Sequence, residues 1–337
     1  MQSVATIEPV ATPIERSNAL VFFATLAVVT IAPLILLPIL QIGKSTAQNE
    51  LVWGIWIIAG YGHVLSTIWF GSDPDYRPVI QENRTRMIAS LAVIPMVMAI
   101  IALSSQIAWS WVFAAYLVWQ AQHYNRQNYG ILAFASSHDG LGPLPREVGW
   151  IIHLTTCAGA VSMVTMPSIY PQGVAPLPFL TPPAALAARL VAIASFATSI
   201  GVAAWLVLKD DRLRRSPTTL LFLCLTVVFF LPALLPGRST ATFWPYAMAH
   251  GLQYLVITGI TALRSRLALS GLLVFLVLAT VLGVLASRMT NAPWAQIYTG
   301  IIMWHFLADA RLWRLRDPTV RAIVRKRFDF VFTPAQA

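Results

Sequence analysis

The residues in this chain best able to do chemistry are histidines, and they stand singly in apolar stretches. His63, His123, His153, His250 and His305 each lie within a mainly hydrophobic run, while the sixth, His138, sits in the polar segment S-S-H-D-G. Ionisable side chains inside apolar helices are costly, so they usually face a bundle interior, where a partner group, an ion or water meets them. Each of the five is followed one helical turn later by a polar or sulfur-bearing residue: His63/Thr67, His123/Gln127, His153/Cys157, His250/Tyr254 and His305/Asp309. Positions i and i+4 share a helix face, and a metal-binding histidine normally has a neighbour that fixes its ring tautomer. The His305/Asp309 pair, in W-H-F-L-A-D-A-R, supplies an imidazole and a carboxylate. One more histidine would complete a two-histidine, one-carboxylate set with open positions.

The densest polar stretch is Trp119–Gly130, W-Q-A-Q-H-Y-N-R-Q-N-Y-G. On a helix, Gln120, His123 and Gln127 share a face, which predicts that His123 is directed at His63 and His305 across the bundle. The resulting assignment has His63, His123, His250 and His305 as metal ligands. Asp309, Tyr124 and Tyr254 are the catalytic candidates, and Gln120, Gln127, Asn128 and Gln253 support a cofactor. His250 is expected to sit highest in the membrane, on the roof of the site. Plainer readings account for the other polar residues. His153, near a helix end beside Thr155 and Thr156, is expected to be structural, and His138 to be solvated in a loop. Arg126 is expected to snorkel to headgroups, and Asp73 and Asp75, in D-P-D, to serve a turn. For Asp309 itself, pairing with Arg311 or Arg314 is the competing reading.

The elements that must position these residues are membrane helices. Hydrophobic residues make up 57% of the 337, charged residues 11%, and mean hydropathy is +0.69. A soluble domain carries about 25% charged residues, so the fold class is an all-α polytopic membrane bundle. With about 20 apolar residues needed per crossing, the chain divides into ten expected spans: 19–42, 51–70, 87–105, 107–129, 148–167, 184–208, 218–236, 243–263, 267–287 and 293–313. Residues 1–18 read as a polar leader, 19–313 as the membrane domain and 314–337 as a basic cytoplasmic tail. The first apolar run has no small-residue cleavage site behind it and reads as a retained helix. Pro33 and Pro38 are expected to kink it, and the proline-rich stretch 167–183 reads as an extended or re-entrant loop.

The charge pattern sets the orientation. With both termini cytoplasmic, all but four (Lys44, Arg189, Arg238 and Arg288) of the 23 Lys and Arg residues fall on the cytoplasmic side, as the positive-inside rule requires. Trp53, Trp109, Trp111, Trp244 and Trp294 then fall near the outer boundary. The net charge of +10 is thus a matter of topology and gives no sign of nucleic-acid binding. Cys157 and Cys224 lie in expected spans and imply no disulfide framework. The expected location is a bacterial inner membrane, and ten helices can bury their polar faces without an oligomeric partner.

Several known chemistries are excluded by what is missing. No helix carries two histidines three or four residues apart, as membrane desaturases and hydroxylases do, and there is no adjacent histidine pair. Paired aspartate-rich loops, G-x-S-x-G and the P-loop pattern are likewise absent. Three functions remain beside a structural or assembly role. The first is a redox enzyme holding Fe or Cu and acting on a lipophilic substrate such as an isoprenoid, carotenoid or acyl lipid. The second is a haem b protein linked to quinol, with Gly60, Gly62 and Gly251 giving the porphyrin room. The third is a proton-coupled transporter with a His/Asp/Arg relay.

Overall fold

The computed structural model describes residues 13–40, 53–166, 170, 177, 180–234, 240–288 and 294–332. Among these residues there is no strand, and helices follow one another through short turns. They are α1 (Pro13–Leu40), α2 (53–71), α3 (Arg77–Ser104), α4 (Gln106–His138), α5 (Arg146–Val164), α6 (Pro182–Lys209), α7 (Pro217–Leu234), α8 (Thr240–Leu263), α9 (Ala268–Arg288), α10 (Trp294–Leu312) and α11 (Pro318–Arg327). Six contain stretches long and apolar enough to cross a membrane: Ser17–Leu36 in α1, and α3, α5, α6, α7 and α9. The other long helices, α4, α8 and α10, are diluted by polar residues, and α2 is interrupted by irregular turns. Most of the leader and of the stretch 167–183 lies outside the described residues.

Local chemistry sets the helix ends. Ser105, in extended conformation, accepts a hydrogen bond from the Ala108 amide and opens α4, satisfying one of the amides that a helix start leaves free. Proline stands at the start of α3, α6, α7 and α11, where its missing donor costs nothing. Gly140 and Gly142, both at positive φ, turn the chain after α4. Buried positions recur every three to four residues along α4 from Trp109 to Ser136, as expected of a helix at the centre of a bundle. By contrast, only 17% of the apolar windows of α3 and α6 is buried, which places these helices at the periphery. The tryptophans expected at the outer boundary differ in exposure. Trp109 is buried against Phe113, whereas Trp53, Trp111 and Trp294 are exposed.

Two irregular helices meet through glycine. In α2 a π-helical turn (Ile57–Gly62) leads into an α-helical turn (His63–Ser66) and then a 3₁₀ turn (Thr67–Gly71). A matching π turn, Leu278–Leu282, interrupts α9. A Cβ on Gly62 would lie 2.5 Å from the Ala279 carbonyl oxygen, and one on Gly283 would lie 2.9 Å from that of Ile57. On the other side of α2, a Cβ on Gly251 of α8 would collide with the Ala59 carbonyl. Glycine is therefore required at the α2/α8 and α2/α9 crossings by the approach of the backbones themselves.

The residues after α10 do not hang free. Asp317 accepts hydrogen bonds from the amides of Thr319 (2.8 Å) and Val320 (3.2 Å), starting α11. Val320, Val324, Phe328 and Val331 are then buried against the bundle. Arg327, only 1% exposed, donates to both carboxylate oxygens of Asp73, to Asp75 Oδ2 (2.9 Å) and to the Thr261 carbonyl (3.0 Å). The two aspartates thus do more than turn the chain. The Asp75 amide does bond to Asp73 Oδ1 (3.0 Å), but both carboxylates serve as counter-ions to a buried guanidinium, which must be paired to be tolerated. His138 also differs from expectation. It ends α4 half-buried, its ring 5.1 Å from that of Phe23.

Two outcomes follow from this packing. Gly251→Ala should destabilise the detergent-solubilised protein by about 1–3 kcal/mol, the usual cost of overpacking. Gly130→Ala, with open space around its Cα, should be neutral or mildly stabilising, and thermal denaturation of the two variants distinguishes them. The second outcome concerns pH. Burial alone would raise the Asp75 carboxyl, but the hydrogen bond from Arg327 and the charges of Arg327, Lys326 and Arg266 outweigh it and hold the group below its ordinary value. A depressed carboxylate contributes stability above its unfolded pKa, about 4, and loses it as pH falls through the folded value. Limited proteolysis should find α11 protected near neutral pH and increasingly cut as the pH drops below about 4.

Candidate metal centre

Four helices each deliver one imidazole to a common point: His63 from α2, His123 from α4, His250 from α8 and His305 from α10. The ring centroids are 5.2 Å apart for His63/His250 and His63/His305, 4.8 Å for His123/His250 and 5.3 Å for His123/His305. His250 and His305 are fully buried, His63 and Asp309 almost so. Asp309 Oδ2 lies 3.5 Å from His305 Nε2 and 3.8 Å from His123 Nε2. Two three-residue donor sets emerge, His63/His250/His305 and His123/His305/Asp309, each with ligand atoms within 4.8 Å of one another. His305 belongs to both.

Placement follows from the helices. On α4, α8 and α10 the histidine lies where one apolar cluster gives way to another. The first cluster includes Trp109, Phe113, Tyr116 and Tyr246, and the second includes Phe134, Ile257, Ala308 and Phe328. The π turn before His63 adds a residue to α2 and so resets which face its side chain occupies. Phe306, next to His305, stacks on His123 at 4.2 Å, and Tyr124 packs on His250 at the same centroid distance. His250 thus packs against His63, His123 and Tyr124.

Hydrogen bonds order the tautomers. His63 Nδ1 bonds to the Ala59 carbonyl; since a carbonyl only accepts, Nδ1 carries the proton and Nε2 the lone pair. Tyr254 donates to Asp309 Oδ1 (2.9 Å). The Thr67 hydroxyl, 2.9 Å from Tyr254 Oη and 2.7 Å from His305 Nδ1, can then donate to Tyr254 and accept from His305. This order satisfies every member and leaves His305 Nε2 unprotonated. Among the described residues, that atom, His123 Nε2 and both nitrogens of His250 are buried without a hydrogen-bond partner. Buried polar atoms are rarely left so, and these four belong to neighbouring rings. An ion with tetrahedral bonds of about 2.0–2.1 Å holds its ligand atoms about 3.4 Å apart. The side chains, within 4.8 Å of one another, would close in by up to about 1.4 Å around it, and the donor types suit an ion.

Each expected site residue can now be located. His63, His123, His250 and His305 cluster, and Asp309 engages Tyr254, His123 and His305 rather than an arginine. Tyr254 and Tyr124 line the site. Gln120 donates to the Tyr124 hydroxyl at 2.6 Å. Gln127 donates to the His250 carbonyl and to Gln253 Oε1, both at 2.9 Å. Gln253 in turn donates to Thr30 (2.8 Å) and to Asn128 Oδ1 (3.3 Å). Gln127, Asn128 and Gln253 are thereby engaged with one another and with the α8 backbone, a brace behind His250. His153 is exposed on α5, away from the site, and Arg126 is exposed as well. Sequence reasoning did not single out the cross-helix role of Thr67, nor Ala59 and Phe306. Only the adjacency of Phe306 to His305 and the i−4 spacing of Ala59 from His63 hinted at them. Compared with family models, curated proteins and solved structures, the chain finds no significant match.

The hydrogen-bonded order has a measurable consequence. Tyr254→Phe leaves one Asp309 oxygen without its donor and should cost about 1–3 kcal/mol in thermal or denaturant unfolding. Thr67→Val should cost a similar amount. Because both act on one chain of hydrogen bonds, the double variant should lose less than the sum of the singles.

Proposed function

We propose that this chain is a membrane-embedded, metal-dependent redox enzyme holding a single Fe or Cu ion. The observation that carries this reading is the gathering of four imidazoles, three of them with unpartnered nitrogens, into two donor sets that share His305, one of which includes the buried Asp309. Imidazole nitrogens suit Fe and Cu, and a site with two or three histidines and a carboxylate leaves positions for a further reactant. When bound, such an ion supplies Lewis acidity and one-electron chemistry. The chain's own residues have separate tasks. Thr67, Tyr254 and Asp309 hold a defined proton order beside His305, while Phe306 and Tyr124 flank His123 and His250 with aromatic surface and exclude water. A lipophilic substrate is inferred from the apolar surroundings of the bundle. The ten-span topology with both termini cytoplasmic belongs to the same proposal and rests on the distribution of Lys and Arg.

The packing favours an ion over a haem. The glycines that would have given a porphyrin room are instead occupied: Gly62 by the Ala279 carbonyl, Gly251 by that of Ala59 and Gly60 by the Trp56 ring. The chain from His305 through Thr67 and Tyr254 to Asp309 favours a second reading, a proton relay in a coupled transporter, in which no metal takes part. Metal analysis and a visible spectrum on detergent-purified protein separate the two. A redox site should contain about one Fe or Cu per chain, lost in His123→Ala, His250→Ala and His305→Ala and weakened roughly 10–100-fold by Tyr254→Phe. Protein that neither contains nor takes up metal, but moves protons with a solute in liposomes, would replace this reading by the second.

A further inference from the structure

Residues 327–332 of the tail meet α4, α8 and the segment just past α2, and reach α10 through Phe70 and Tyr76. Arg327 grips Asp73, just past the end of α2, and the Thr261 carbonyl near the end of α8. Arg264, after α8, returns a hydrogen bond to the Arg327 carbonyl (2.8 Å) and pairs with Asp329. On α4, Phe134 packs against Phe328 (5.3 Å) and Phe332 (5.6 Å). At the end of α10, Trp313 meets Phe70 edge-on at 5.7 Å, and Phe70 meets Tyr76 at 4.7 Å. The Arg327 guanidinium in turn lies over the Tyr76 ring at 5.4 Å.

We propose that Arg327 is a positioning residue for the metal centre. It acts through Asp73 on the 3₁₀ turn Thr67–Gly71, and so on Thr67 and His63. This rests on the metal reading above and extends it. Thr67 is the hinge of the proposal, since its hydroxyl meets both His305 and Tyr254. The turn that carries it is short and tightly hydrogen-bonded, with the Ser72 and Asp73 amides bonded back to the Trp69 and Phe70 carbonyls. A shift of Asp73 is therefore passed to Thr67 with little slack. A docked tail sets the proton order at His305 and the direction of the His63 lone pair, and a released tail loosens both. The guanidinium suits this role better than an ammonium, because its planar fork fixes the carboxylate in orientation as well as distance.

Coupling of this kind is reciprocal: if the tail favours metal binding, metal binding must favour the docked tail. Co(II) is the probe, titrated into full-length metal-free protein in detergent, with its visible absorption and the hydrogen exchange of residues 318–332 both recorded. In the wild type, Co(II) should slow exchange in α11. Arg327→Lys should bind Co(II) about three- to tenfold more weakly, as expected for a residue coupled through packing, and with an altered band shape. A variant of similar thermal stability altered away from the tail, such as Phe113→Leu, should bind with the wild-type spectrum. Co(II) binding that leaves tail exchange unchanged in the wild type, or a wild-type spectrum and affinity in Arg327→Lys, would overturn the positioning role and leave the metal centre standing. Failure of the wild type to bind any metal would overturn the metal reading itself, and this proposal with it.

Discussion

A polar atom buried in a membrane bundle has no water to fall back on, and the rest of this structure follows from how that constraint is met. The amides of α4 and α8 satisfy one another, Arg327 is answered by Asp73 and Asp75, and Thr67, Tyr254 and Asp309 form a closed sequence of donors and acceptors. Among the buried side-chain atoms without a hydrogen-bond partner in the described residues, the nitrogens of His123, His250 and His305 are set apart by their clustering. They belong to neighbouring rings on three separate helices, and those of His123 and His305 face the Asp309 carboxylate. A shared cation, as proposed above, would relieve the repulsion among them.

Much of the site was legible in the sequence because a charged or polar residue in an apolar run has few innocent explanations. The convergence of His63, His123, His250 and His305, and the presence of Asp309 among them, came from that argument alone. The partner assignments came from i, i+4 spacing, and they were only partly right. Thr67 lies one turn beyond His63 yet bonds to His305. Tyr254 lies one turn beyond His250 yet bonds to Asp309, and Gln127 bonds to the His250 carbonyl rather than to the His123 ring. Helical periodicity reports which face a side chain occupies. The atom it meets across that face depends on helix rotation and depth, which one sequence does not specify.

The same limit explains the glycines and the tail. Gly62 and Gly251 read equally well as space for a cofactor or as contact points between backbones. The choice between these depended on the π turns in α2 and α9, which leave no periodic trace. The tail was legible as basic, and its buried Arg327 was counted with its exposed neighbours because charge composition does not distinguish the two. Asp317 followed by Pro318 was the available sign that a helix, rather than a free tail, begins there.

The spread of the ligands along the chain has a consequence for assembly. Membrane helices insert individually and associate afterwards. Here no two ligand histidines share a helix, and the donor sets span α2 to α10. No hairpin emerging early from synthesis can hold an ion alone, so the site comes into being only with the complete bundle. An ion bound there would act as a rivet on tertiary association and would leave the insertion of each helix untouched. Its loss would then loosen the grip of helices already in the membrane without expelling any of them.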